Sequence, residues 1–210
     1  VEVVAMDGFT GFKTAANEEL PDAVTVMDPF YVVRLAAEAL DDVRRRVQQA
    51  LHGHRGRAGD PLYAARRTLH TGASLLTARQ HARLDALFAD DAHAEVEATW
   101  MVYQQLVTAY RETDPKQGRK RMRKLITALT HGVPAALAEV RRLGRTLAKR
   151  AGDVLAYFDR PRTSNGPTEA INGRLEHLRG SALGFRNLTN YVARSLLETG
   201  GFRPALHPRL

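Results

Sequence analysis

The chain has 210 residues, 44% of them hydrophobic, enough for one core with room for a large insertion. It contains no cysteine, which excludes disulfides and thiolate metal sites. Its net charge of +8 suits a polyanionic partner, nucleic acid before an anionic membrane surface.

No run approaches the ~18 apolar residues of a membrane span, and no signal peptide is visible. A cytoplasmic protein without membrane contact is therefore expected. Lysine occurs only at Lys13, Lys116, Lys120, Lys124 and Lys149; the excess of arginine fits phosphate recognition and a GC-rich genome equally well.

Residues 1–6 are β-branched and apolar and read as a buried strand that ends in the turn Asp7-Gly8. Residues 10–20 carry Phe12, Ala15, Ala16 and Leu20 at helical spacing, and Pro21-Asp22 breaks the pattern. Residues 23–27 form a second buried strand, ending at Asp28-Pro29. Strand, helix, strand over so short a stretch is a βαβ unit with parallel strands and a right-handed crossover. Ligands and catalytic groups gather at the carboxyl ends of such strands, where Asp7 and Asp28 sit. Two parallel strands do not make a stable sheet alone, so neighbours upstream of Val1 are expected.

From Pro29 onward the pattern is helical. Helices are predicted at 30–51, 62–70, 77–88 and 91–111, then after the cap Asp114-Pro115, and again from Pro134. His52 and His54 lie in a glycine-rich loop with no third ligand nearby, which argues against a metal site. Trp100 belongs to the repeat Val96, Trp100, Tyr103, Val107, Tyr110 and is assigned to the core. Residues 116–124 are basic at six of nine positions, and the helix from Pro134 carries Arg141, Arg145 and Lys149 on one face. A solvated face and phosphate contact both explain such helices. A short apolar piece, 154–158, leads into the run Thr163-Ser164-Asn165-Gly166-Pro167-Thr168-Glu169-Ala170-Ile171-Asn172.

That run breaks one helix and starts another. Asn165 or Gly166 can cap, Pro167 suits a first turn, and Glu169 falls where the helix dipole favours an acid. Ile171, Leu175 and Leu178 form an apolar stripe, while Glu169, Asn172 and Glu176 share a polar edge. Gly180 ends this helix, Gly184-Phe185-Arg186-Asn187 is a loop, residues 188–198 are a last helix, and a tail begins at Gly200. Glu169 reads as a plain cap or as a metal-binding carboxylate. Asp7 reads as a turn residue or, with Glu169, as one of the acids that two-metal phosphoryl transfer requires at a strand end and on a packed helix. Asp28 reads as an N-cap for the helix after Pro29 or as a third member of that set.

The order of these features resembles the C-terminal part of DDE transposases of bacterial insertion sequences, the ISL-three branch. The likeness covers essentially the whole chain. Its most specific parts are Ser164-Asn165-Gly166-Pro167-Thr168-Glu169, Gly184-Phe185-Arg186-Asn187, and the Asp28-Pro29-Phe30 segment, after which the family often has histidine where this chain has Tyr31. The resemblance implies a mostly α chain with a small parallel β unit, a partial ribonuclease-H-like core interrupted by an all-helical insertion. It divides the chain into residues 1–33 (core), 34–162 (insertion), 163–199 (catalytic-glutamate helix and closing helix) and 200–210 (tail).

By position, Asp7 matches the second catalytic aspartate and Glu169 the catalytic glutamate, with Mg²⁺ or Mn²⁺ as the metal and Asp28 as a possible further ligand. The first aspartate and the zinc-binding and helix-turn-helix modules of the family would precede Val1, so a fragment inactive by itself is expected. The implied activity of the intact enzyme is DNA strand cleavage and strand transfer, hence transposition. Its partners would be transposon ends, target DNA and further copies of itself. Lys116, Arg119, Lys120, Arg123, Arg141, Arg145, Lys149 and Arg174 are the expected DNA contacts. The competing readings are a non-catalytic basic helical nucleic-acid-binding protein and an inactive transposase remnant.

Overall fold

A computed structural model of the chain describes residues 1–200. The predicted tail lies, beyond Gly200, outside the described residues. The fold is mostly helical with one small parallel sheet. It divides into two compact units, Val1–Thr163 and one beginning at Ser164.

In the first unit, strand β1 (Val3–Met6) pairs in parallel with β2 (Val24–Met27), joined by helix α1 (Thr10–Glu19). The register sets Val3 opposite Val24 and Met6 opposite Met27, so the two strands end side by side. Helix α2 (Pro29–His52) follows directly. Asp28 caps it, Pro29 occupies its first turn, and Gly53 closes it in the left-handed region at φ 72°. Its stripe Val32, Ala36, Leu40, Val43 and Val47 is buried, which makes α2 the axis of the core.

Helices α3 (Pro61–Leu69), α4 (Ala78–Phe88), α5 (Ala94–Arg111), α6 (Pro115–His131), α7 (Ala138–Lys149) and α8 (Ala151–Asp159) complete the unit. α5 and α7 pack on α2, and α6 packs on α5, α7 and α8. Gly144 lets α7 approach closely, since a Cβ there would run into the backbone of Leu129. α8 lies on β2 and ties the helices to the sheet. Trp100 is half-buried against this core, its ring centroid 5.5 Å from that of Phe88. Among the described residues no helix is long and apolar enough to cross a membrane.

Two elements differ from the sequence expectation. The helix expected from Pro134 begins at Ala138. Residues 134–137 instead make a turn, closed by the Leu137 N–H on the Pro134 carbonyl at 3.1 Å. Arg46 of α2 holds that turn through the Ala136 carbonyl (3.2 Å) and Glu139 (2.7 Å). The apolar piece expected at 154–158 is part of α8. Its Val154, Leu155 and Phe158 recur at helical spacing and are buried against β2 and α6.

The second unit is a helical hairpin, α9 (Gly166–Ser181) and α10 (Leu188–Thr199). Pro167 sits in the first turn of α9, and Asn187 caps α10 through the Asn190 N–H at 3.3 Å.

Candidate active site and nucleic-acid interface

The chain leaves β1 at Asp7 and β2 at Asp28, at neighbouring register positions, and the Asp28 N–H donates to the Met6 carbonyl at 2.8 Å. Both aspartates make the same local bond. Asp7 Oδ1 accepts the Phe9 N–H at 2.8 Å, and Asp28 Oδ1 accepts the Phe30 N–H at 2.7 Å. They differ in burial. Asp28 is only 4% exposed and serves as the N-cap of α2. Burial pushes the neighbouring Tyr110 hydroxyl well above its ordinary range, and the charges of Tyr157 and Asp28 push it further. Asp7 is half-buried, and among the described residues its Oδ2 accepts no hydrogen bond.

The turn that carries Asp7 is gripped from several sides. Gly8 lies against the Tyr31 ring, which a Cβ there would overlap, and Arg34 lies over that ring at 4.8 Å from its centroid. Tyr31, where the resembled family often has histidine, therefore packs on the residue after Asp7.

Arg150 donates to the Gly8 carbonyl at 3.3 Å and lies 3.7 Å from Met6 Sδ. Its Nε donates to Asp153 Oδ2 at 2.6 Å. Asp153 also accepts from Lys13 Nζ (2.9 and 2.8 Å) and Thr25 Oγ1 (2.9 Å). Burial alone would raise the Asp153 carboxyl; the bonds from Lys13, Arg150 and Thr25 outweigh it and hold the group below its usual value. None of these four residues stood out in the sequence. The available signal was Asp153 itself, an acid placed directly before an apolar stretch that must be buried.

In the second unit, Glu169 lies in the first turn of α9 and is exposed. Among the described residues its carboxylate has no hydrogen-bond or ion-pair partner. Asn172, Arg174 and Glu176 are exposed as well, and Glu176 accepts from Arg179 at 2.7 Å. The stripe Ile171, Leu175 and Leu178 contains no buried residue.

Lys116, Lys120 and Arg123 share an exposed face of α6, with Lys124 at its margin. Arg141, Arg145 and Lys149 share an exposed face of α7. Among the described residues none of these seven forms an ion pair. Arg119 does not belong with them. It pairs with Asp159 and donates to the Leu155 carbonyl at 3.3 Å, so it fastens α6 to the end of α8. Arg121 is likewise tied to Glu112 at 3.0 Å and Arg142 to Asp42 at 2.8 Å.

The carboxylate oxygens of Asp7 and Glu169 are hard donors of the kind Mg²⁺ and Mn²⁺ prefer, and the unpartnered Oδ2 of Asp7 fits such a ligand. Among the described residues no group of three or more His, Asp or Glu is gathered as a metal cage. A family model described as a transposase, that of the ISL-three DDE transposases, matches residues 1–195. No curated protein and no solved structure matches the chain. Enzymes of this family act on DNA and use divalent metal ions. The chain belongs to the ISL-three family of DDE transposases.

Proposed function

We propose that this chain supplies two of the catalytic carboxylates, Asp7 and Glu169, of a transposase that cleaves DNA at the ends of an insertion sequence and joins the freed 3′ hydroxyl to target DNA. The observation that carries the reading is Asp7. It stands at the carboxyl end of a strand in a βαβ unit, where such folds place their chemistry, with one oxygen pinned by Phe9 and the other open. In this reading residues 1–33 are part of a ribonuclease-H-like core, 34–162 an insertion, and 163–199 the glutamate helix with its closing helix. Asp28, enclosed and capping α2, serves to hold the strand end rather than to bind metal.

When bound, two divalent ions supply Lewis acidity to the attacking and leaving oxygens of an in-line displacement. Asp7 and Glu169 would act as their ligands. Water and then a DNA 3′ hydroxyl are the nucleophiles, so no side chain forms a covalent intermediate. The exposed cations of α6 and α7, with Arg174 on α9, hold the phosphate backbone and position the duplex. Intact transposase is proposed to work as a homo-oligomer on paired ends.

The test is cleavage of a labelled transposon end by the transposase containing this chain, with Mg²⁺ or Mn²⁺. Asp7→Asn and Glu169→Gln are each expected to lower cleavage by about a hundredfold or more while leaving DNA binding intact. Full cleavage by Glu169→Gln would return that residue to a simple dipole-favoured position in a helix first turn. The 210-residue chain alone is expected not to nick DNA.

A further inference from the structure

We propose that Arg150 is a positioning residue for Asp7: anchored on Asp153, its guanidinium holds the turn that presents this carboxylate. Its functional meaning rests on the reading of Asp7 as a metal ligand; its structural content does not.

Three observations lead there. The first is reach. Through Nη1 and Nη2, Arg150 touches the two residues that flank Asp7, Gly8 by its carbonyl and Met6 by its sulfur. The planar fork meets these atoms and Asp153 together, so a rotation of the turn breaks several contacts at once. The second is charge. Within a cluster where Asp153 is 3% and Arg150 5% exposed, one carboxylate faces two cations, Lys13 and Arg150. Lys13 alone would neutralise Asp153. A second cation costs further desolvation, and packing α8 on β2 could be achieved by apolar residues of similar volume.

The third is saturation. Asp153 Oδ1 is taken by Lys13 and Thr25, and Oδ2 by Lys13 and Arg150. The anchor therefore joins α1, β2 and α8, and Arg150 is the arm that extends from it to the end of β1. A residue that only fastened a helix to a sheet would have no need to reach past the strand to the turn.

The experiment uses the full chain labelled with ¹⁵N. It follows the water-exchange rate of the Phe9 amide, which donates to Asp7, relative to a core amide such as that of Leu40. It also follows the broadening of the Gly8 and Phe9 amides by added Mn²⁺. Arg150→Met is expected to speed Phe9 exchange about tenfold relative to Leu40 and to abolish the Mn²⁺ broadening. Arg150→Lys, which keeps the charge without the fork, should recover global stability but not the Phe9 ratio. Arg44→Met removes a comparably buried arginine of α2, bonded to Asp41 and Gln48, and should leave that ratio unchanged.

If Arg150→Met and Arg44→Met give the same ratio, Arg150 is only a staple and the proposal fails. Should Arg150→Met not fold, Arg150→Lys decides by the same ratio. Asp7→Asn separates the two claims. If Mn²⁺ still broadens Gly8 and Phe9 in that variant, Asp7 is no ligand and the proposed function fails, while the Phe9 ratio in the Arg150 variants still judges the positioning role.

Discussion

The two units of this chain are held by different means. The first has a core around α2, with Leu40, Val43, Leu106 and Leu147 fully buried, and a buried charge cluster at the strand ends. The second has no buried residue in either helix; Ile171 is 40%, Leu196 60% and Leu188 74% exposed. Local rules mark its helix starts, with Pro167 in a first turn and Asn187 as a cap, and its two helices pack on each other.

Substitution on each side measures this contrast. Asp153→Ala leaves Arg150 buried without its anion, and about 3–5 kcal/mol of stability should be lost. Ile171→Ala on α9 should cost about 0.5 kcal/mol or less, as surface changes usually do. Urea unfolding of the two variants gives the comparison directly, and equal costs would remove it.

A second contrast is acid sensitivity, which should reside in the first unit. The His70 imidazole, 3.5 Å from Asp41, and Arg44, 3.0 Å away, hold the Asp41 carboxyl at about 2 against the ordinary 3.8, although burial opposes them. The folded state therefore binds fewer protons than the unfolded chain between those values. Stability from this group is complete above the ordinary carboxylate range and is lost as pH falls from about 4 through about 2, amounting to about 2 kcal/mol at most. Unfolding followed from pH 5 to pH 2 should show a smaller decline in Asp41→Asn than in the parent chain.

The smallest effect concerns DNA. Changing Lys116, Lys120 and Arg123 singly to glutamine should each reduce the salt slope of binding by about 1, uniformly across sequences. Arg119→Gln should leave the slope unchanged and lower stability instead, since its guanidinium is bound to Asp159 and Leu155. Fluorescence anisotropy at several salt concentrations separates the two outcomes.

Much of this was legible in advance. The βαβ unit, the long α2 with its Asp28-Pro29 start, and the helix after Asn165 all carry signals within a few residues of the feature they specify. The departures arose where distant residues intervene. The start of α7 was displaced because Arg46, on another helix, holds the turn at Ala136. Arg119 looked like its basic neighbours until α8 brought Asp159 to it. The grip on Asp7 was invisible for the same reason: Lys13, Thr25, Arg150 and Asp153 acquire meaning only when the end of the first unit returns to its beginning.

That return has a kinetic side. The bonds from Lys13 to Asp153 and from Arg150 to Gly8 join residues 140 and 142 positions apart. Contacts this distant in sequence close large loops and form late in folding. At the usual pace of synthesis, on the order of ten seconds separate the appearance of Lys13 from that of its partner. During that interval the nascent βαβ unit has neither its covering helix nor its buried anion. The end of β1 therefore stays without its covering helix and its buried anion until α8 has been made, and it is completed late in folding.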